Sequence, residues 1–337
     1  MTSPLADAAQ RFLVIAVTGR PRPAIDFALK MGEAGLSLDS LILDVLGPIQ
    51  QEVGLLWQMN QLTTAQEHAS TAVVDGVLGA FALRTPPPLP ARGTVLVACV
   101  EEEYHTIPAR MGVERLRFDG WEVVFLGASL PAQDLQSYAA SSEPDVIVLS
   151  CTVPLFIPGA ARCIAAVNEL GLPAVAAGAG FGETSARADR LGAAGWIGPR
   201  SNPTDVLRGT LHPPSLPREA NPDYLQIELM ADGLISSCME EMFLRIPQMS
   251  SYSQAQLARA RTDLRHTLRY LGLALDLSEV ALFYHFISWL ADFLTSRDVP
   301  PAVLSVSIEI LASTLERAKL RRPAAICRAA RERLLPL

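Results

Sequence analysis

The sequence predicts an α/β protein in three parts: a helical bundle over residues 1–84, a doubly wound parallel sheet over 93–212, and an all-α domain over 222–337. Three observations predict it. Proline-rich stretches at 85–90 and 213–222 punctuate the chain, and proline fixes φ and lacks a donor, so neither can continue a helix or a central strand. Both read as semi-rigid linkers. Between them, short apolar runs alternate with helical patterns, as in a parallel sheet covered on both faces. Before and after them, apolar residues recur at helical spacing.

Taken in order, helices are expected over 24–33, 38–57 and 62–83, with Ser37 as N-cap of the second and Thr63 or Thr64 near the start of the third. Short connections between them suggest a small bundle. Strands are expected over 94–100, 122–126, 146–150 and 174–177, with helices near 107–119, 131–141, 158–170 and 184–191. In the last part, 254–275 places Leu257, Leu264, Leu268, Leu271 and Leu275 on one stripe, and 279–297 places Val280, Phe283, Ile287, Leu290 and Leu294 on another. Pro300 and Pro301 stop the chain before a helix over 304–317.

Composition excludes several classes of function. Of 337 residues, 50% are hydrophobic, enough for more than one core, and Lys plus Arg number 28 against 35 Asp plus Glu. A net charge of −7 argues against a nucleic-acid partner, which needs a basic surface. No apolar run approaches the roughly 20 residues that span a bilayer. The apolar stretch 12–17 is too short for a signal core and lacks a small-residue cleavage site after it. Five cysteines without CxxC spacing predict neither a disulfide framework nor a zinc site, and point to the cytoplasm.

Histidine is scarce: His68, His105, His212, His266 and His285. His105 ends the run Glu101-Glu102-Glu103-Tyr104-His105 after the first strand, at the sheet edge where α/β folds bind ligands. An imidazole there can hold a metal while a carboxylate holds its other nitrogen. On spacing alone, a solvated loop histidine is the commoner reading. Its companions change that. Glu103-x-His105, Ser150-x-Thr152 and Gly178-x-Gly180 fall at successive strand ends. Together with Leu126-Gly127-Ala128 and Pro144-Asp145, they make residues 93–200 resemble the cobalamin-binding domain family. That family's pattern is Asp/Glu-x-His-x-x-Gly, then Ser-x-Leu/Thr, then Gly-Gly. The resemblance implies that His105 replaces the cofactor's benzimidazole as lower ligand to cobalt. It also implies that the freed nucleotide tail passes Ser150, Thr152, Gly178 and Gly180. Two positions depart: Pro108 stands where the family has Gly, and Ala177-Gly178 where it has Gly-Gly.

The first part carries Trp57 and, after nine intervening residues, Glu67-His68. This pattern resembles the helical cap of cobalamin-dependent photoreceptors related to light-sensitive repressors of carotenoid genes. It implies that Trp57 covers the upper face of the corrin against an adenosyl group, with Glu67 and His68 at the upper ligand or the cofactor's periphery. Taken singly, Trp57 reads as a core residue and Glu67-His68 as a surface pair. Gln58 stands where those repressors often have a second histidine, and no helix-turn-helix pattern precedes the cap in this sequence.

In the third part, Asp263-Leu264-Arg265-His266-x-x-Arg269-Tyr270-Leu271 and Phe283-Tyr284-His285-x-x-x-Trp289-Leu290 resemble the C-terminal extension of photocobilins, which hold biliverdin in a globin-like domain. The resemblance implies a non-covalent biliverdin site using Arg261, Arg265, His266, Tyr284 and His285. Haem on His266 or His285, or a plain dimerisation domain, remain as alternatives. Cys99, Cys151 and Cys163 read as small buried residues. Cys238 and Cys327 are possible bilin anchors that nothing local marks as activated. The resemblances imply a light sensor that binds adenosylcobalamin and biliverdin, works as a homodimer and signals to an unidentified protein. A corrinoid methyl carrier and a haem sensor are the alternatives.

Overall fold

The computed structural model describes residues 4–84, 90–209, 211–212 and 219–334, so most of both proline-rich linkers lies outside the described residues. The chain forms two compact units, Met1–Arg218 and Glu219–Leu337, and the first two sequence modules share one of them.

The bundle comprises α1 (Pro4–Ala16), α2 (Pro21–Glu33), α3 (Leu38–Ser40), α4 (Gly47–Gln58) and α5 (Thr64–Ala82). Ser37 accepts the Ser40 N–H to cap α3, and Thr63 with Gln66 forms a capping box at α5. The helix expected over 38–57 is interrupted by a π-turn, Leu41–Leu46. Pro48 supplies the reason: it has no N–H and crowds the carbonyl four residues back. The Gly47 N–H reaches instead to the Ile42 carbonyl, five residues away. Helix α1 was not among the expected elements, although Phe12, Leu13 and Ala16 in its second half are core residues of the bundle.

The sheet holds β1 (Thr94–Cys99), β2 (Glu122–Phe125), β3 (Val146–Ser150), β4 (Ala174–Ala177) and β5 (Gly195–Ile197), all parallel, in the order β2-β1-β3-β4-β5. Between and after the strands come α6 (Thr106–Phe118), α7 (Ala132–Ser142), α8 (Ile157–Glu169), α9 (Ala186–Arg190) and α10 (Pro203–Arg208). The doubly wound expectation stands, with four strands where periodicity placed them. β5 escaped because three residues beginning with glycine show no period. One face of the sheet buries Val95, Val97, Val146, Val148 and Val175 against Ala109, Val113 and Leu116 of α6. The bundle does not stop at the sheet domain: Ile107 and Met111 of α6 belong to the bundle's core.

The second unit is all-helical: α11 (Pro222–Arg245), α12 (Gln254–Asp276), α13 (Val280–Thr295), α14 (Pro301–Arg317) and α15 (Arg321–Glu332). α11 and α15 were not foreseen. α11 opens with Pro222 in its first turn and Asn221 capping the Asp223 N–H, so a residue read as a breaker is a helix start. α15 is rich in arginine, and its buried side is small: Ala324, Ile326, Cys327 and Ala330. No described helix is long and apolar enough to cross a membrane.

Candidate functional site

Glu103 organises the carboxyl edge of the sheet. Its side chain is 0% exposed. One carboxylate oxygen accepts the His105 backbone N–H at 2.8 Å and the His105 ring Nδ1 at 2.6 Å. The other accepts the backbone N–H groups of Thr152 at 2.7 Å and Val153 at 3.1 Å. A buried carboxylate is costly unless its lone pairs are filled, and here four donors fill them. Burial pushes the Glu103 carboxyl up, but the bonds from His105, Val153 and Thr152 outweigh it and hold the group below its ordinary value. The loops after β1 and β3 are thereby tied together where the winding of the sheet reverses.

His105 is the N-cap residue of α6. With Nδ1 donating to Glu103, Nε2 is the nitrogen that can take a metal. The bond to Glu103 raises the imidazole pKa above 6.5, burial opposes it, and the charges of Glu103 and Glu67 add to the rise. Glu67 belongs to the bundle, and its charge reaches His105 across the N-terminal unit. Trp57, at the end of α4, is half-buried against the bundle core, and its Nε1–H donates to Thr64 Oγ1 at 3.2 Å. Glu67 lies 3.4 Å from His68 Nε2, on a histidine that is largely exposed.

Ser150 is buried at the end of β3, and Thr152 Oγ1 is buried without a hydrogen-bond partner. Gly178 has φ +97°, and a Cβ there would collide with the Cys151 carbonyl oxygen. Gly180 donates its N–H to that same oxygen at 2.9 Å. The glycines do permit a close approach, as expected, but the approaching group is the chain's own Cys151 backbone. Burial pushes the Cys99 thiol up to about 12, with the Glu103 charge adding to it, and burial raises Cys151 and Cys163 as well.

Sequence reasoning missed the ties between bundle and sheet. Arg115 of α6 reaches both carboxylate oxygens of Asp39, at 2.8 and 3.3 Å, and the Ser201 carbonyl at 2.9 Å. Arg200 pairs with Asp44 at 3.0 Å, and Arg110 with Asp75 at 3.7 Å. Residues 76 apart in sequence give no local signal of such a pairing. A cleft of about 540 Å³ beside α1 and the π-turn, lined by Leu13, Leu43, Asp44, Ile49 and Arg200 among others, contains none of the expected site residues.

In the second unit, the five residues expected to surround biliverdin do not share one wall. Arg265 donates to Asp232 of α11 at 2.8 Å, and Arg261 lies 3.5 Å from Ser236 of the same helix. Tyr284 lies under the Arg333 guanidinium, and His285 is exposed. His266 is half-buried, its pKa lowered by burial and then by the charges of Arg269 and Arg265. The unforeseen α11 sets partners beside two arginines that looked unpaired. Cys238 and Cys327 are buried, and burial raises both thiols, which disfavours covalent attachment.

Among the described residues, no three His, Cys, Asp or Glu side chains are grouped as a cage for a bare ion. A lone imidazole steadied by a buried carboxylate suits a metal that brings its other ligands in a ring. An orphan hydroxyl beside it, Thr152 Oγ1, suits a polar appendage on that ring.

A family model described as B12 binding domain matches residues 93–207, and a second of the same description matches 9–81. The chain therefore carries a B12-binding domain beneath a helical cap of the B12-binding type, and both matches end before the second unit. This is a cobalamin-binding protein, distantly related to the HTH-type transcriptional repressor CarH of Myxococcus xanthus. The two are 30% identical over 147 residues, 44% of this chain and 48% of the relative. The HTH-type transcriptional repressor CarA of the same organism is 31% identical over 103 residues, 31% of this chain and 34% of that one. The chain thus spans half or less of each curated relative. In fold it is similar to the monomethylamine corrinoid protein of Methanosarcina barkeri, with a TM-score of 0.50, 15% identity, and coverage of 58% of this chain and 94% of that one.

Proposed function

We propose that the chain is a light sensor that binds adenosylcobalamin between the helical cap and the carboxyl edge of the sheet, with His105 as the lower ligand of cobalt. The observation that carries this reading is the buried Glu103 carboxylate, which fixes Nδ1 of His105 as a donor and reserves Nε2 for a metal. When bound, the cofactor supplies a cobalt–carbon bond that light can break. The chain's own residues do the rest. Glu103 holds the imidazole in one tautomer. Thr152, with Ser150, Gly178 and Gly180, borders the space for the nucleotide tail. Trp57 offers a ring to the upper face, with Glu67 and His68 beside it.

Helix α6 starts at the proposed ligand and carries Ile107 and Met111 into the cap's core. A change in cap packing is therefore felt along the helix that the metal ligand caps, and the Arg115–Asp39 pair stiffens that connection. The signal passes to an unidentified partner, with the chain acting as a homodimer. In the C-terminal unit, the two arginines expected at a bilin meet Asp232 and Ser236 of α11, and the reading rests on the N-terminal unit.

The test uses the full chain mixed with adenosylcobalamin in the dark. Retention of the corrin spectrum through gel filtration, a spectral change on illumination and a shift in elution are expected. His105→Ala should lose retention by about tenfold or more in affinity, the size of effect that disturbing a metal's ligand support produces. A light-stable spectrum with a methyl form that exchanges its methyl group would make the chain a corrinoid methyl carrier instead.

A further inference from the structure

The C-terminal unit carries an apolar groove with a cationic rim that no motif marks. The groove, about 440 Å³, lies between α11 and α14 and is bordered by Leu229, Met230, Gly233 and Ser237 on one side and by Thr314 and Arg317 on the other, among others. Leu229 at its edge is 87% exposed, and apolar surface left in water is surface that association can still bury. A Cβ at Gly233 would meet nothing within 4 Å, so the groove has room for side chains from outside.

Where α14 turns into α15, the chain is cationic throughout. Arg317, Lys319, Arg321 and Arg322 fall within six residues with no acid among them, in a chain whose net charge is −7. All four are exposed. Glu316, the acid next to them in sequence, pairs with Arg328, and among the described residues none of the four has an acidic partner. Arg317 donates from Nη2 to Thr314 Oγ1 at 3.0 Å, which holds it at the groove. Folding alone does not ask for this arrangement. Arg321 and Arg322 stand in the first turn of α15, at the positive end of the helix dipole, where acids are favoured and none is present. Lys319 has φ +66°, the left-handed position after a helix that glycine fills at least cost. Local rules broken together, without a local gain, mark a surface shaped by something outside the chain.

We infer that the α11–α14 groove and its cationic rim dock an acidic amphipathic helix of a partner protein, with apolar side chains entering beside Leu229 and Gly233 and carboxylates meeting Arg317, Lys319, Arg321 and Arg322. Helix-in-groove docking needs an apolar trough, and charge of one sign beside it selects a partner of the other sign. Other occupants fit less well. A nucleic acid has phosphates for the rim but no apolar face for the trough. A bilayer is flat and meets protrusions rather than a recess. Docking here is independent of the cofactor reading, because it concerns the C-terminal unit alone and needs neither cobalamin nor light.

The experiment is an anisotropy titration of a fluorescein-labelled helical peptide, with leucines at i, i+3 and i+4 spacing and glutamates elsewhere, against the full chain. Saturable binding that weakens with salt is expected, even though the chain's net charge repels such a peptide elsewhere on the surface. Leu229→Asp, and separately Arg321→Glu combined with Arg322→Glu, should each weaken binding by about tenfold or more. Arg208→Glu, an exposed change in the other unit, should leave it in place. The double charge reversal should not lower the urea midpoint of the C-terminal unit, because it favours the α15 dipole. Absence of binding, equal binding by all variants, or a lowered midpoint that makes the arginines structural would overturn the inference. Capture of the wild type, but not the double variant, by phosphatidylglycerol vesicles without peptide binding would assign the rim to a lipid surface instead. A wild-type oligomer that Leu229→Asp dissociates, again without peptide binding, would assign the groove to a second copy of the chain.

Discussion

His105 and His266 both stand on helices beside charged residues, yet their surroundings push them in opposite directions. The His105 ring is 58% exposed and hydrogen-bonded to a buried carboxylate that raises its pKa. His266 is more deeply set, and burial with the neighbouring Arg269 and Arg265 lowers its pKa. Around His105, acceptors converge and orient the ring. Around His266, cations repel any further positive charge, and a metal ion there would add to that repulsion. The difference lies in the second residue, not in the histidine. Glu103 has a reason to be buried only if something needs its four bonds, whereas Arg265 beside His266 is an exposed side chain that meets Asp232.

The most forceful way to break this contrast is Glu103→Ala. It strips the acceptor from three backbone N–H groups and the His105 ring, and leaves a void between the β1 and β3 loops. Each buried donor left without a partner costs about 1–3 kcal/mol, so a loss of about 3 kcal/mol or more is expected for the N-terminal unit. Urea unfolding of the full chain measures it. A change below about 1 kcal/mol would mean that water replaces the carboxylate easily, and that the hub is not the organiser described above.

How much of this was legible in the sequence depended on the range of the interaction. Glu103 and His105 are two residues apart at a strand end, so strand periodicity alone brought them to the right edge. Thr152 followed because β3 ends beside β1, a consequence of the parallel order that helices between strands imply. The contact of Thr71 on α5 with Gln50 on α4 was invisible, because the packing of α4 on α5 decides which of many polar side chains meet. The same holds for Arg115 and Asp39. In the C-terminal unit, Arg261 and Arg265 are four residues apart and share one face of α12. Spacing could not say that α11, which opens at Pro222, brings Asp232 and Ser236 beside those arginines. A polar residue on a known face reads as available until its neighbour is placed.

The two histidines also sharpen the comparison through pH. His266 has a folded pKa below 6.5, so below about pH 6.5 the unfolded chain takes up a proton that the folded unit resists. Stability of the C-terminal unit should therefore be complete above that value, and fall as pH drops from 6.5 toward the lowered folded value. Asp263 on the same helix is raised by burial, with Arg259 opposing, and acts with the opposite sign at lower pH. The contribution of His266 is isolated by His266→Gln, whose urea midpoint for this unit should change less than the wild type's between about pH 7.5 and pH 5.5. Parallel curves for the two proteins would mean that the arginines and burial do not control this ring.

The smallest expected effect tests whether the arginines of the second unit do anything for its stability. Arg265 and Asp232 meet at 2.8 Å, but their side chains are 46% and 88% exposed. Water screens such a pair, and ordering two long side chains offsets the attraction, so exposed pairs contribute about 0–1 kcal/mol. Arg265→Ala should lower stability of the C-terminal unit by about 0.5 kcal/mol or less near neutral pH, and high salt should erase the difference. It should also raise the His266 pKa, because one of the charges that depresses it is gone. NMR titration of the ring measures that part. An effect on stability near that of Glu103→Ala would place Arg265 in a buried network and return it to the candidates for a ligand site. A small effect on stability with a shifted His266 titration would keep the contrast between the two units as drawn: a histidine held by a carboxylate in one, and a histidine crowded by cations in the other.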